Sequence, residues 1–250
     1  MIYIDVDRIG KKLFDKLCRL LFPPKCIFCR KITQTVSSHQ KVSSHQKASS
    51  HQKASSHENV CNDCEEGLAL VGWINGETRL GRALVPVDGV FAGCEYNDLV
   101  KSAVVRLKFY EATGAARPLA YMMSRGLKNY ADLFDIIIPV PLSKKRFSER
   151  GFNQSELISE EIGIRLNIPM EAKILMRVRH SKKQSLSTGQ ERQENISRAF
   201  GIADSSQIEG KSVLLIDDVL TTGSTAAECA KVLREAGAKK IFVAVVALAV

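Results

Sequence analysis

The sequence predicts an α/β protein: a mostly parallel sheet flanked by helices, behind a small N-terminal module carrying four cysteines. Three observations predict it. From residue 90 onward, apolar runs of strand length alternate with segments of helical period, the pattern of a parallel sheet covered on both faces. Two Cys-x-x-Cys pairs, Cys26/Cys29 and Cys61/Cys64, precede that alternation. The 250 residues are 45% apolar and 25% charged, enough for one large domain plus a small module.

This composition excludes a wholly disordered chain. The longest apolar run, Ile241 to Val250, falls short of the roughly 18 residues that span a bilayer, so no membrane insertion is expected. Residues 1–22 mix charges through their apolar positions and lack the continuous apolar stretch of a secretory signal. The seven cysteines therefore read as reduced thiols or metal ligands of a cytoplasmic protein. The net charge of +9 is concentrated in residues 1–60 (+7) and 142–200 (+5). Such an excess suits an anionic partner, either nucleic acid or a phosphorylated small molecule, or simply a solvated surface.

Residues 8–21 place Ile9, Leu13, Leu17 and Leu20/Leu21 on one helical face, and Phe22-Pro23-Pro24 ends that helix. Residues 37–60 are four copies of a six-residue repeat, SSHQKV, SSHQKA, SSHQKA and SSHENV. It has too few apolar residues for a core and reads as a surface insertion. It holds His39, His45, His51 and His57, so it is either an incidental metal-binding tract or a solvated linker. Strands are predicted at 90–96, 136–140, 173–178, 213–216 and 241–248, and helices at 99–109, 118–128, 154–166 and 224–236, the last closed by Gly237. Residues 179–195 read as a basic loop followed by a short helix.

Cys26, Cys29, Cys61 and Cys64 can place four thiolates on one ion, a closed tetrahedral shell suited to structural Zn²⁺. The 31 residues between the pairs exceed the usual spacing of roughly 15–20. Removing three repeat copies leaves 13, which suggests a zinc module interrupted by a later expansion. Cys18, Cys94 and Cys229 lie in apolar surroundings and read as core thiols.

The richest segment runs from Val213 to Thr225. A buried strand delivers Asp217 and Asp218 to its carboxyl end, and Thr221, Thr222, Gly223, Ser224 and Thr225 form a turn that opens a helix. Such a turn presents N–H groups and hydroxyls to a phosphate, and the helix N-terminus favours negative charge. The acids suit sugar hydroxyls. An anion cradle beside a hydroxyl-accepting pair suggests a sugar phosphate. The segment fits neither a Walker A loop nor a GxGxxG turn.

Residues 213–225 resemble the 5-phosphoribosyl-1-pyrophosphate (PRPP) signature of type I phosphoribosyltransferases. Other segments resemble the ComF (competence protein F) family: Pro139 to Gln154, Phe22 to Cys26, Leu107-Lys108-Phe109, and Gln184 with Arg192, Asn195, Ala199 and Phe200. The resemblance covers nearly the whole chain except 37–60. It implies a type I phosphoribosyltransferase-like core at 131–250, a candidate hood at 71–130, and a zinc-ribbon-like module at 1–70. It implies that Asp217 and Asp218 hold the ribose hydroxyls and act in catalysis, and that Thr221 to Thr225 hold the 5-phosphate. The loop Leu142, Ser143, Lys144 and Arg146 would receive pyrophosphate, with Mg²⁺ as companion ion. Lys101 and Lys108 share a helical face and are candidate contacts, and residues 177–184 could close over the site. The implied activity is phosphoribosyl transfer to an unknown acceptor, in the setting of natural competence and DNA uptake. The alternative is an accessory protein that binds PRPP together with single-stranded DNA or competence and recombination proteins. Trp73, Phe91, Tyr96 and Tyr121 could stack on a base, though core packing suits them better.

Overall fold

The computed structural model describes residues 21–33, 60–74, 87–109, 112–178 and 199–249. The helix expected over 8–21 and the repeat at 37–60 lie outside these but for residues 21 and 60. The basic loop at 179–195, with His180 and Gln184, lies wholly outside them, as does Cys18. The chain divides into two compact units, Met1–Gly67 and Leu68–Val250.

In the first unit a tight hairpin brings Lys25 opposite Ile32, and a short helix α1 spans Asn62–Gly67. The second unit is built on five strands: β1 (Leu70–Ile74), β2 (Gly89–Glu95), β3 (Ile136–Pro139), β6 (Ser212–Leu220) and β7 (Lys240–Leu248). Their order is β1-β2-β7-β6-β3, parallel throughout except for β1, which pairs antiparallel with β2. Helices α2 (Asp98–Phe109), α3 (Ala112–Leu127), α4 (Lys144–Arg150), α5 (Gln154–Leu166) and α6 (Ser224–Glu235) accompany it. None of the described helices is long and apolar enough to cross a membrane.

Strand side chains alternate between faces. Ile136, Ile138, Val213, Leu215, Val243 and Val245 pack with Ala226, Cys229, Ala230 and Leu233 of α6. On the opposite face, Phe91 abuts Gly126 of α3, and Ile137 lies near Gly163 of α5. Both faces are buried, which is why β3 and β7 are apolar at almost every position. Cys94 and Cys229 are fully buried, as expected of core thiols, and burial pushes the Cys94 thiol up to about 12.

Several boundaries depart from expectation. Helix α3 starts at Ala112, so Pro118 sits inside it. Its buried stripe, Ala115, Ala116, Leu119, Ala120 and Met123, continues on both sides of the proline. Strand β6 runs on to Leu220, because Asp217, Val219 and Leu220 pair with Val245, Ala247 and Leu248 of β7. Ladder pairing there outweighs the poor strand preference of aspartate. The strand expected at 173–178 is shorter, β4 (Leu175–Arg177), and pairs with β5 (Phe200–Ile202) in a separate two-stranded sheet. Residues 71–130 add β1 and β2 to the main sheet and supply α2 and α3.

Gly126 marks a close approach of helix and sheet. A methyl group there would sit 2.7 Å from Phe91 Cε2 and closer still to Cζ. Phe91 is 4% exposed and packs edge-on against Trp73, so its ring has little room to yield. Gly126→Ala should therefore cost about 1–3 kcal/mol by overpacking and lower the melting temperature by several degrees. A thermal melt unchanged from the parent would show that the ring relocates freely.

Candidate functional site

The four cysteine sulfurs of Cys26, Cys29, Cys61 and Cys64 all lie within 4.8 Å of one another. Cys29 Sγ and Cys61 Sγ are 3.5 Å apart. Four thiolates at a Zn–S distance of about 2.3 Å stand roughly 3.8 Å apart at the corners of a tetrahedron, so the cluster has the right size. Backbone geometry builds it. Cys26 N–H donates to Lys31 O, Arg30 N–H returns to Cys26 O, and Arg30 takes a left-handed conformation (φ 68°) that turns the knuckle. Across the gap, Cys61 O accepts from Cys64 and Glu65 as α1 begins, and Cys61 N–H donates to Cys26 Sγ. A backbone hydrogen bond at Lys31 brings the Cys29 thiol down to about 7, whereas burial pushes Cys61 and Cys64 up. Four thiolates this close repel one another, and a divalent cation removes that repulsion. The residues present can hold a metal such as zinc.

The second site is a cleft of about 410 Å³ at the carboxyl ends of the parallel strands, where open α/β sheets bind ligands. The strand ends are tied together there: Tyr96 N–H donates to Leu248 O, and Ala249 N–H to Leu220 O. Asp217, Asp218, Thr221 and Thr225 line the cleft from β6 and the start of α6, and Leu142 and Arg146 line it from the segment after β3. Ser143, Lys144, Thr222, Gly223 and Ser224 are not part of its wall. Ser143 instead caps α4 by accepting from Arg146 N–H, so Lys144 and Arg146 stand on the first turn of a helix rather than in the expected open loop. Gly223 is the left-handed N-cap of α6 (φ 77°), and the Thr222 and Ser224 hydroxyls meet at 2.9 Å.

The segment after α4 supports the acids. Gly151 closes α4 in a left-handed conformation. Asn153 caps α5, accepting from Ser155 N–H, and its Nδ2 donates to Val140 O, which ties α5 to the end of β3. Ser155 Oγ then donates to Asp217 Oδ1 at 3.1 Å, and Asp218 N–H donates to the same oxygen at 2.8 Å. Gln154 lines the cleft and accepts from Arg150. Burial, then the Asp218 charge, raises the Asp217 carboxyl from 3.8 to about 7, partly offset by those two donors and by Lys108.

Asp218 is 5% exposed. Lys108 Nζ at the end of α2 lies 2.7 Å from its Oδ2, an ion-pair contact that is not aligned as a hydrogen bond. Lys101, its expected companion, is exposed and does not line the cleft. Arg177 does, with its guanidinium over the Phe200 ring in a cation–π contact, 5.1 Å from the centroid. Phe91 is a core residue, and the half-buried Trp73 packs among Phe91, Tyr130, Phe134 and Phe242. Tyr121 stacks with Arg165, and Tyr96 alone of the four lines the cleft. The supporting roles of Asn153 and Ser155 are not legible in the sequence, because a capping asparagine and a buried serine leave no periodic signal.

The raised carboxyl has a testable sign. Folded Asp217 keeps its proton to about pH 7, whereas an unfolded chain releases it near 3.8. The stability this provides is complete below about pH 4 and lost as pH rises through 7. Asp217→Asn keeps the Oδ1 acceptor and cannot ionise. It should be more stable than the parent at pH 8, on the order of 1–3 kcal/mol, with the gap closing toward pH 4. Denaturant unfolding at both pH values checks this.

A parallel α/β sheet whose β6 carries an acidic pair into a hydroxyl-rich turn and helix defines a type I phosphoribosyltransferase-like protein. The family model for the phosphoribosyl transferase domain matches residues 118–249. The chain belongs to that family and, within it, to the ComF (competence protein F) group. It is 36% identical over 154 residues to Competence protein F of Haemophilus influenzae, covering 59% of this chain and 67% of that protein. It is 33% identical over 183 residues to Competence protein ComFC of Bacillus subtilis, covering 71% and 67%. Against the DNA utilization protein YhgH of Escherichia coli O157:H7 it is 33% identical over 144 residues and spans only 58% of that relative's length. Among solved structures, the glutamine PRPP amidotransferase from B. subtilis is 19% identical, with a TM-score of 0.42, covering 56% of this chain and 30% of that one.

Proposed function

We propose that the cleft binds PRPP and that the protein transfers its phosphoribosyl group to an acceptor with release of pyrophosphate. One observation supports this above the others: the acidic pair, Thr221 and Thr225 from the turn and helix start after it, and Leu142 and Arg146 from the segment after β3 all border one cleft. In this reading Asp217 and Asp218 accept the two ribose hydroxyls. Residues Thr221 to Thr225 hold the 5-phosphate at the N-terminus of α6, where the helix favours negative charge. Leu142, Ser143, Lys144 and Arg146 receive the pyrophosphate, Arg146 through its side chain and Leu142 and Ser143 through backbone groups. Mg²⁺, when bound with PRPP, would neutralise the diphosphate, and Asp217 and Asp218 are the carboxylates present to hold it.

The chemistry needs no side-chain nucleophile. The bond from ribose C1 to the pyrophosphate oxygen breaks, and the electron pair leaves with pyrophosphate. A bond from C1 to the acceptor forms, and the acceptor gives up a proton. Such a centre develops oxocarbenium character, so the residues act by orienting the ribose and stabilising the departing anion.

A second reading is an accessory protein that uses PRPP as a ligand and binds single-stranded DNA or recombination partners. The relatives' names, which refer to competence and DNA utilization, favour it. So does α4, which exposes Lys144, Lys145, Arg146 and the Phe147 ring. In both readings the four cysteines hold a structural zinc in a module at 1–70, the transferase-like domain occupies 71–250, and the protein works in the cytoplasm.

Calorimetry with PRPP and Mg²⁺ tests the ligand. Pyrophosphate release, screened against nucleobases, small amines and single-stranded DNA, separates the readings. Acceptor-dependent release supports the enzyme. Binding without release in any mixture supports the accessory protein, and no binding overturns both.

A further inference from the structure

The Lys108 contact with Asp218 deepens the reading of the cleft as a PRPP site, and rests on it. Asp218 is buried, yet its Oδ2 accepts no hydrogen bond and its neighbouring charge is the Lys108 ammonium at 2.7 Å. The ammonium meets that oxygen off the hydrogen-bond direction, so the oxygen keeps the capacity to accept from a better-aligned donor. A ribose hydroxyl is such a donor, and it reaches that oxygen, which is buried beneath the ammonium, only when the ammonium moves aside. Lys108 is also partly exposed, lies on the last turn of α2, and borders the same cleft as Arg146. Its four-carbon stem lets the charge move by several ångströms without moving the helix.

We propose that Lys108 is an exchange cation. In the free protein it neutralises Asp218. On binding, the ribose hydroxyl takes Asp218 Oδ2, and the Lys108 ammonium transfers to the diphosphate on C1. The exchange leaves the Asp218 oxygen with a hydrogen-bond donor and the ammonium with an anion, so neither group is stranded in the bound state. Without a counter-charge, Asp218 would stand as an unpaired buried carboxylate beside Asp217, a costly arrangement. Without a diphosphate to receive it, the displaced ammonium would lose its partner. Lys108 thereby acts as a specificity-determining residue: it favours a ligand that carries the diphosphate over one that offers only the ribose hydroxyls and 5-phosphate.

Ribose 5-phosphate is the discriminating probe, because it has both hydroxyls and the 5-phosphate but no diphosphate. Calorimetry with PRPP and with ribose 5-phosphate, on the full chain, gives the ratio of the two affinities. Lys108→Met should lower that ratio about tenfold, the size of one hydrogen bond to a charged group, with the loss falling on PRPP. Lys108→Arg, which keeps the charge, should hold the ratio within a few-fold of the parent. A purely structural lysine would weaken both ligands alike in the methionine variant and leave the ratio unchanged, and that result would overturn the proposal. So would a methionine variant whose ratio matches that of the parent while its melting temperature falls. If the parent protein binds neither ligand, the reading of the cleft fails first, and the exchange fails with it.

Discussion

Replacing Asp217 and Asp218 together with alanine should weaken PRPP binding at least about 100-fold. Each carboxylate is expected to accept a ribose hydroxyl, and a hydrogen bond to a charged group contributes about 1.5–3 kcal/mol, so two of them account for a loss of that size or more. The change also removes the groups that fix the ribose against the turn at Thr221 to Thr225. Two controls separate recognition from folding. Asp217→Asn retains the oxygen that accepts from Ser155 and from Asp218 N–H, so it keeps the local scaffold. The far-ultraviolet circular dichroism of the double variant should match the parent, because the strand ladder from Ser212 to Leu220 is made by backbone groups. Normal PRPP affinity in the double variant would sink the assignment of the site.

Removing the metal should unfold the first unit. Its described residues form one short hairpin and a six-residue helix joined through four sulfurs, which is far too little apolar burial for independent stability. Binding of structural zinc to such a site contributes on the order of 10 kcal/mol to folding at neutral pH. Atomic emission on protein purified without chelators should find one zinc per chain. Treatment with a strong chelator, or Cys26→Ser with Cys64→Ser, should abolish amide protection at 25–33 and 61–67. The sheet and its helices, with a core of their own, should keep theirs. Absence of zinc, or protection unchanged on its removal, would reject the metal site.

Much of this was legible in the chain. The apolar runs at 136–139, 213–216 and 241–248 are buried on both faces, so every side chain must be apolar whichever way it points. The helix at 154–166 matched its prediction to the residue, because Asn153 caps its start and Asn167 closes its end in a left-handed turn. The cysteines could be paired from their spacing alone, since each Cys-x-x-Cys is a local device. Local devices also misled. Pro118 reads as a helix start, yet the stripe packed against the sheet carries the helix past it. The segment at 144–150 shows no apolar period and reads as a loop, yet the Ser143 cap and the Gly151 turn hold it helical.

What the sequence determined by itself was the set of chemical parts: four thiols in two pairs, an acidic pair on a buried strand, and a hydroxyl-rich turn before a helix. These are contiguous, so spacing and residue type suffice to recognise them. Only the tertiary structure decided what surrounds them. Ser155 reaches Asp217 across 62 residues, and Lys108 reaches Asp218 from a helix that precedes β6 by more than a hundred positions. Such contacts arise from the order in which strands pack side by side. Chain distance carries no record of that order, and a lysine at the end of a helix looks the same whether it faces water or a buried carboxylate.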